Sequence, residues 1–279
     1  MGLISVSLFF ALLILGFIVG LPASMCGLGG GFIIVPTLII VFNLSPQNAV
    51  AISLVAMCGT TFSAALGYIK QRRVDYKLGL LYDILDVPGV VSGVYITTIL
   101  PKDVLIGLCG FFILFLSLLL LRNMKARSPS TKNKELSMTL KGWRRRISDS
   151  LNQVFEYEIR RPSLAMVSSF MSGLVTGLAG LGGGITDTTT MILLGVPPHI
   201  AIASSEFAMA LTNGAGVIAH GILQNVSIEY AIPLTIGTIF GAQIGVLVAK
   251  RTKRKTLKKI LSVVALLLSL RLVLRFFWI

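Results

Sequence analysis

The sequence predicts an all-α polytopic membrane protein. It predicts two inverted-topology repeats of about five helical segments each, with Gly-rich broken or re-entrant helices that meet near the midplane of the bilayer. Three observations lead there. Of the 279 residues, 54% are hydrophobic and 13% are charged, whereas an ordinary soluble domain carries about 25% charged residues. Apolar stretches of membrane-spanning length recur along the chain, and a glycine-rich motif occurs twice.

Ten apolar segments follow one another, and each is interpreted as a helix. About 20 helical residues span a hydrocarbon core that is roughly 30 Å thick. Two of the segments are too short to cross it comfortably, and the sequence leaves open whether they cross or re-enter. The first segment has no Lys or Arg before it and is followed by more apolar sequence, so it is interpreted as a retained helix and not as a signal peptide. The ten segments are 3–25, 30–43 (short), 47–69, 78–100, 104–121, 163–180, 184–195 (short), 199–223, 229–249 and 258–278.

The basic residues that give the chain its net charge of +14 are concentrated in three hydrophilic regions, 70–77, 122–161 and 250–259. This placement between apolar segments favours a membrane surface over nucleic acid as the partner of the charge. Cytoplasmic loops of membrane proteins are enriched in Lys and Arg. The sequence therefore predicts an integral, multi-pass protein of the plasma (inner) membrane with these three regions cytoplasmic and both termini outside.

The chain divides into a first transmembrane repeat (1–121), a basic cytoplasmic linker (122–162) and a second transmembrane repeat (163–279). A basic linker attracts anionic lipid headgroups. Within it, four apolar side chains spaced four residues apart predict a helix that lies on the membrane surface, and a solvated linker is the alternative. These side chains are Trp143, Ile147, Leu151 and Phe155.

An internal duplication relates the two repeats. The segment "GLGGGFIIVPTL" from Gly27 is matched by "GLGGGITDTTTM" from Gly180. Downstream, an offset of 152 residues aligns "SPQNAVAISLVAM" with "PPHIAIASSEFAM". Each half contains five apolar segments and thus an odd number of crossings, so the two halves are expected to have opposite orientations. Inverted repeats with a broken helix in each half are typical of secondary transporters.

The glycines predict a backbone site for an anion. Glycine permits tight turns and close approach of a ligand to the backbone. The short helix that follows each glycine run directs free N–H groups and its positive dipole end toward the break. The alternative is that these glycines only let helices pack closely. The candidate binding residues are Gly29, Gly30 and Gly31 in the first repeat and Gly182, Gly183 and Gly184 in the second.

Polar side chains near the breaks are further candidates for substrate contact, because hydroxyl and amide groups donate hydrogen bonds to an anion without adding a fixed charge. The alternative for each hydroxyl is a bond to a carbonyl of its own helix. These candidates are Ser53, Thr60 and Thr61 in the first repeat and Ser205, Thr212 and Asn213 in the second.

Four acids lie in the interior of apolar segments. Intramembrane carboxylates commonly mark ion or proton paths, so Glu206 and Asp187 are predicted as candidates for proton coupling. Asp187 falls in the first turn of a short helix, where a capping role is the alternative. Asp83 and Asp86 are expected to pair with the neighbouring basic loop.

Two stretches carry a resemblance to a known family. They are "GLPASMCGLGGGFIIVPTL" with "NAVAISL", and "GLVTGLAGLGGGITDTTTMILLGVPPHIAIASSEF". In these stretches the chain resembles the TauE/SafE family of sulfite exporters, also called the toluene sulfonate uptake permease family. The resemblance covers about 16–121 and 170–270 and implies a permease for sulfite or small sulfonate-type anions. The second copy departs from the first where "ITDTTT" replaces "FIIVP".

Together these observations predict a secondary transporter that exports sulfite or an organosulfonate by alternating access. An intramembrane enzyme and an anion channel or non-transporting membrane protein are the alternatives. Glu206 and His220 are 14 residues apart, about 21 Å along one helix and too far to share a proton, which argues against an enzyme. The three cysteines lie in apolar segments, so neither a metal site nor a cofactor is predicted, and no residue is assigned as catalytic.

Overall fold

A computed structural model describes residues 6–123, 143–148, 150, 153–159, 162–249 and 254–277. This part of the chain forms ten helices and one two-stranded antiparallel hairpin. Five helices precede the hairpin and five follow it. In chain order the elements are α1 (Val6–Cys26), α2 (Gly31–Ile40), α3 (Pro46–Lys70), α4 (Tyr76–Ile99), α5 (Lys102–Asn123), β1 (Trp143–Ser148), β2 (Val154–Ile159), α6 (Pro162–Ala179), α7 (Gly184–Leu193), α8 (Pro198–Ile222), α9 (Ile228–Val248) and α10 (Arg254–Phe277).

The packing pairs each half of the chain with the other. Helix α1 packs on α9, and α6 packs on α4, so the first helix of each half contacts the fourth helix of the other. The two third helices, α3 and α8, pack together at the centre, and so do the two fifth helices, α5 and α10. Exchanging the two halves leaves this set of pairings unchanged.

Glycines let the paired helices approach until their backbones touch. A Cβ added to Gly93 in α4 would collide with the carbonyl oxygen of Leu174 in α6, and one added to Gly241 in α9 would lie 2.5 Å from the carbonyl oxygen of Phe17 in α1. Lipid supplies little hydrophobic driving force between helices, so close packing of small residues is a main source of their association. These glycines explain why the α1–α9 and α4–α6 contacts are the most extensive in the bundle.

The two short helices turn back and do not cross the bundle. Ala165 near the start of α6 and Leu194 just after α7 lie in one apolar cluster with Tyr157 of the hairpin, so α7 returns to the end of the bundle where α6 begins. In the first half, Phe42 beyond α2 packs on Tyr230 in the first turn of α9, which runs beside α1 in the same direction. Each short helix thus returns to the end of the bundle at which the helix before it begins.

The predicted surface helix in the linker is wrong, because the described residues of this segment form the hairpin. Strand β1 pairs with β2 so that Ile147 faces Phe155 and Arg145 faces Tyr157. Burial alternates along β1: Trp143, Arg145 and Ile147 are partly buried, while the intervening residues are exposed. This period of two is that of a strand. Leu151, the remaining member of the predicted apolar stripe, lies outside the described residues.

Length and composition identify membrane-spanning helices. In the described part of the chain, α1, α3, α4, α5 and α9 are long and apolar enough to cross a bilayer. Helix α8 has the same 25-residue length as α3 but carries a row of buried polar side chains. That row brings the polar chemistry of the second half into the centre of the bundle.

Candidate functional site

The two glycine runs interrupt the helices, between α1 and α2 and between α6 and α7, and we call these interruptions the breaks. Their backbone conformation requires glycine. At four of the positions a left-handed φ is shared between the repeats: 71° at Gly27 and 62° at Gly180, then 70° at Gly29 and 71° at Gly182. Side chains with a Cβ rarely adopt such angles. The repeats differ at the next residue, where φ is 96° at Gly30 but −60° at Gly183.

The two breaks meet in the interior of the bundle. A Cβ built on Gly29 would lie 3.8 Å from the Cα atom of Gly182. A Cβ on Gly31 would collide with the carbonyl oxygen of Gly180, and one on Gly184 would collide with that of Gly27. Each break therefore places a carbonyl group against the start of the short helix in the other repeat.

Two methionines from the central helices pack beside this contact. The Sδ atom of Met57 in α3 lies 3.3 Å from the Cβ position of Gly29, and that of Met209 in α8 lies 3.7 Å from the same position. Met57 and Met209 are equivalent under the 152-residue offset. The breaks thus lie close to the middle of both central helices.

Neither short helix has a side-chain cap at its start. The N-cap residues are Gly30 for α2 and Gly183 for α7, and neither position provides a side-chain hydrogen bond to the first N–H groups. The N–H groups of a first helical turn have no partner within the helix, and the helix dipole makes this end positive. Two such ends beside one contact form an environment suited to an anion.

The hydroxyl candidates of the first repeat bond to carbonyl groups. Ser53 Oγ donates to the carbonyl oxygen of Gly180 at 2.9 Å and so connects α3 to the opposite break. Thr60 donates to Ala56 O at 3.0 Å, and Thr61 donates to Met57 O at 2.8 Å, both within α3. Thr60 and Thr61 therefore follow the alternative stated for them, a bond to their own helix.

The polar candidates of the second repeat are less satisfied. Ser205 and Asn213 are buried in α8, and no polar atom of either side chain has a hydrogen-bond partner. Glu206 is also buried, and both of its carboxylate oxygens lack a partner. A buried polar group without a partner costs about 1–3 kcal/mol. Such groups close to the breaks indicate a surface that receives further polar partners.

Asp187 lies in the first turn of α7 and is fully buried. No backbone N–H group donates to its carboxylate oxygens, so no hydrogen bond supports the capping role that was its alternative. Its carboxylate interacts instead with Ser172 of α6, whose Oγ also lies 2.6 Å from Thr186 Oγ1 and 3.3 Å from the carbonyl oxygen of Gly183.

The expectation that Asp83 and Asp86 pair with the basic loop is wrong. Both are buried in α4 and lie within hydrogen-bonding distance of Thr212 of α8, whose Oγ1 is 2.9 Å from Asp83 Oδ1 and 2.8 Å from Asp86 Oδ2. The acid that binds the linker is Asp75. Asp83 and Asp86 lie about two and three turns from the start of α4. This distance places them inside the bundle and away from the loop.

Asp75 anchors the hairpin to the start of α4. Arg145 donates to it through both Nε (2.8 Å) and Nη2 (2.6 Å), and Tyr157 donates its hydroxyl at 2.6 Å. Burial alone raises the pKa of Asp75, but hydrogen bonds from Arg145, Tyr157 and the Leu78 N–H outweigh it and leave the pKa below its ordinary value. The hydrogen bond to Asp75 raises the pKa of Arg145. Sequence reasoning missed this acid, although its position just before a helix is a signal for an N-cap.

Comparison with known proteins finds relatives among membrane transporters. A family model described as "Sulfite exporter TauE/SafE" matches residues 12–272. The probable membrane transporter protein YunE of Bacillus subtilis is 32% identical over 251 residues, which cover 87% of this chain and 89% of that protein. A probable membrane transporter protein of Methanocaldococcus jannaschii is 23% identical over 86% of each chain.

A plant relative shares a shorter region. Sulfite exporter TauE/SafE family protein 3 of Arabidopsis thaliana is 33% identical over 90 residues, which cover 32% of this chain and 19% of that protein. No solved structure matches the chain. The family and its relatives are membrane transporters and not enzymes, in agreement with the apolar helices described above. The chain is thus an integral, multi-pass membrane transporter that belongs to the TauE/SafE family.

Proposed function

We propose that this transporter exports a small sulfur oxyanion, sulfite or an organosulfonate, by alternating access. The observation that carries the proposal is the contact between the two glycine breaks, each of which opens an uncapped helix N-terminus. The description of the matching family, sulfite exporter, supports this choice among small anions. With the cell interior negative, outward movement of one anion gains about 2.3 kcal/mol per 100 mV.

The proposed binding site uses backbone N–H groups around Gly29 to Gly31 and Gly182 to Gly184. The unpartnered side chains of Ser205 and Asn213 supply further hydrogen-bond donors. Glu206 donates as well when it is protonated. In the conformation described here the breaks touch, so the proposal requires them to separate by movement of the short helices when the anion enters.

Alternating access follows from the proposed inverted repeats. The equivalent helices α3 and α8 are antiparallel, because Leu54 near the start of α3 contacts Gly216 near the end of α8. Likewise, α5 and α10 are antiparallel, since Gly107 near the start of α5 lies against Phe276 near the end of α10. Two inverted halves around one site can open it to either side by exchanging conformations.

A counterflow assay tests the proposal. Purified protein is reconstituted into liposomes that contain sulfite, and uptake of labelled sulfite from outside is measured. A transporter gives saturable uptake that internal sulfite accelerates, whereas a channel gives flux that internal sulfite does not accelerate. Absence of any sulfite-dependent flux in the parent protein would overturn the proposal.

The matched variants are Gly29→Ala and Gly214→Ala. The new methyl group at Gly29 requires a backbone with φ of 70° and lies 3.3 Å from Met57 Sδ, whereas the position at Gly214 is open space. We expect uptake to fall at least about tenfold for Gly29→Ala, equivalent to about 1.4 kcal/mol, and to stay near the parent value for Gly214→Ala. Equal uptake by both variants would place the anion away from the breaks.

A further inference from the structure

Two carboxyl groups of α4 share one hydroxyl group of α8. Thr212 Oγ1 lies 2.9 Å from Asp83 Oδ1 and 2.8 Å from Asp86 Oδ2, both hydrogen-bonding distances. A threonine hydroxyl carries a single hydrogen and can donate to only one of these oxygens. The other contact is a hydrogen bond only if that carboxyl group carries a proton and donates it to Thr212. The geometry therefore accommodates at least one proton on the pair.

The surroundings of the pair also favour a bound proton. Asp86 is fully buried and Asp83 is 7% exposed. Within the described residues, neither acid forms an ion pair with a basic side chain. Two uncompensated carboxylates at this depth would be very costly. A proton on one of them removes a charge and supplies the missing donor.

A second set of buried groups faces the pair from other positions. The Tyr82 hydroxyl is fully buried beside Ser168 and is close enough to Asp86 and Asp187 to interact with them electrostatically. Asp187 of α7 interacts electrostatically with both Asp86 and Asp83. Helix α6, which packs against α4, contributes no titratable side chain. Helix α8 contributes one acid, Glu206, which lies about 9 Å from Thr212 along the helix axis.

The other half of the molecule shows that the architecture does not require these acids. Under the 152-residue offset, Asp83 corresponds to Thr235, Asp86 to Thr238 and Thr212 to Thr60. There, Thr238 and Thr60 both donate to the carbonyl oxygen of Ala56. The same helix pairing is thus built in α3 and α9 without a carboxyl group, so the acids of α4 serve a different purpose.

We propose that Asp83 and Asp86, bridged by Thr212, form a proton-binding site whose occupancy controls the affinity of the transporter for its anion. The proposed ligand is H⁺, because a proton on one carboxyl group supplies the donor that the second contact to Thr212 lacks. The coupling role rests on the proposed transport function, whereas the presence of the proton does not.

Asp187 connects this proton site to the anion site. It lies in the first turn of α7, the helix that opens at Gly184, and it interacts electrostatically with Asp86. When the pair loses its proton, negative charge increases beside the positive end of α7 and disfavours an anion there. Proton and anion therefore bind cooperatively, and by linkage each raises the affinity for the other.

Infrared spectroscopy of the purified protein in lipid nanodiscs tests for the proton directly. The C=O stretch of a protonated carboxyl group is expected at neutral pH and should lose intensity in Asp83→Asn and Asp86→Asn, which keep the shape of the neutral acid. Thr212→Val should shift the band because the shared hydroxyl group is lost. The matched control is Thr60→Val, whose hydroxyl bonds within α3, and its spectrum should equal that of the parent.

Binding of an organosulfonate measured at several pH values tests the coupling, because this anion keeps its charge whereas sulfite itself takes up a proton near neutral pH. One linked proton changes the parent affinity by about tenfold per pH unit over the titration range. In Asp86→Asn we expect this slope to disappear while binding persists. The proton site is overturned if both single variants keep the full carboxyl band from about pH 5 to about pH 8, and the coupling is overturned if they keep the parent slope. If the parent binds neither sulfite nor the organosulfonate, the transport proposal fails, and the infrared band still decides the proton site.

Discussion

At the scale of single residues, many of the unsatisfied polar groups lie on two helices that pack together, α4 of the first repeat and α8 of the second. They include Asp83, Asp86, Ser205, Glu206 and Asn213. The positions equivalent to Tyr82 and Glu206 are Leu234 and Leu54. The helical framework is therefore common to both repeats, whereas these unpartnered polar side chains lie where α4 and α8 pack together.

Glu206 provides a prediction at this scale. Its two oxygens are buried without partners, and as a neutral acid it can donate to an oxyanion. Glu206→Gln keeps a donor of similar shape and should retain sulfite affinity. Glu206→Leu removes the donor and should weaken binding by about 1–3 kcal/mol, measured by calorimetry.

The control for Glu206 is its counterpart Leu54, which lies at the equivalent position in α3. Leu54→Met preserves apolar volume and should leave affinity unchanged. If Glu206→Leu folds and binds sulfite as tightly as the parent protein, this carboxyl group does not contact the anion.

At the scale of elements, the glycine breaks were predictable and the hairpin was not. Two glycine runs that each precede a short apolar segment indicate one local structure, because few other backbones require glycine there. A spacing of four residues, in contrast, fits both one face of a helix and one face of a strand. Trp143 and Ile147 satisfy the strand, with Phe155 opposite Ile147, so the same spacing supported the wrong element.

The contacts of the buried acids were equally inaccessible to sequence reasoning. Thr212 is 129 residues from Asp83 and 126 from Asp86. Local spacing shows that the two acids share a helix face, but it does not show which helix covers that face. Only the packing of α4 against α8 supplies the answer.

The Asp75 anchor gives a prediction for the hairpin. Because Arg145 is partly buried, Asp75→Asn leaves its charge unpaired and should weaken hairpin docking by about 1–3 kcal/mol. Trp143 lies beside Arg145, 5.1 Å from the guanidinium carbon to the ring centroid, so its fluorescence in a Trp278→Phe background reports undocking. The control is Glu156→Gln, whose pair with Arg146 is 3.5 Å long and about 70% exposed on both sides, and it should have no effect.

Docking should also depend on pH in one direction. The pKa of Asp75 is lower in the docked hairpin than in an unfolded chain, so ionised Asp75 stabilises docking at every pH above about 4, its ordinary pKa. That stabilisation is lost as the pH falls through the lowered value. Trp143 fluorescence should therefore stay constant from neutral pH to about pH 4 and change below it. Loss of docking near neutral pH would contradict the assigned anchor.

At the scale of the whole molecule, the sequence indicated two related halves, and the structure shows how they combine. The two halves are interlocked, since α1 of the first repeat packs mainly on α9 of the second, and α6 of the second packs mainly on α4 of the first. Repetition of a motif reveals equivalent segments, but it carries no information on which copies exchange partners. That exchange depends on glycine faces whose complement lies in the other half.

The orientation of the molecule in the membrane is testable with two lysines in equivalent settings. Lys77 in the first turn of α4 and Lys102 at the start of α5 are both exposed. Helix α4 begins at the hairpin and ends before α5 at the opposite face of the bundle. With the linker cytoplasmic, an impermeant thiol reagent applied to intact cells should label Lys102→Cys and spare Lys77→Cys. Labelling of Lys77→Cys alone would reverse the proposed orientation.

The exchange of partners between halves also sets a schedule for biosynthesis. Ser24 at the end of α1 donates to the carbonyl oxygen of Ala242 in α9, 218 residues later in the chain. At ribosomal speeds of about 5–20 residues per second, α1 waits about 10–40 s for α9 to emerge. During that interval the face of α1 that carries Gly16 and Gly20 is covered only by lipid, by the insertion machinery or by a non-native helix. Helix α1 thus finds its native neighbour only after seven further helices have been synthesised, and the contact between α1 and α9 forms late in the assembly of this bundle.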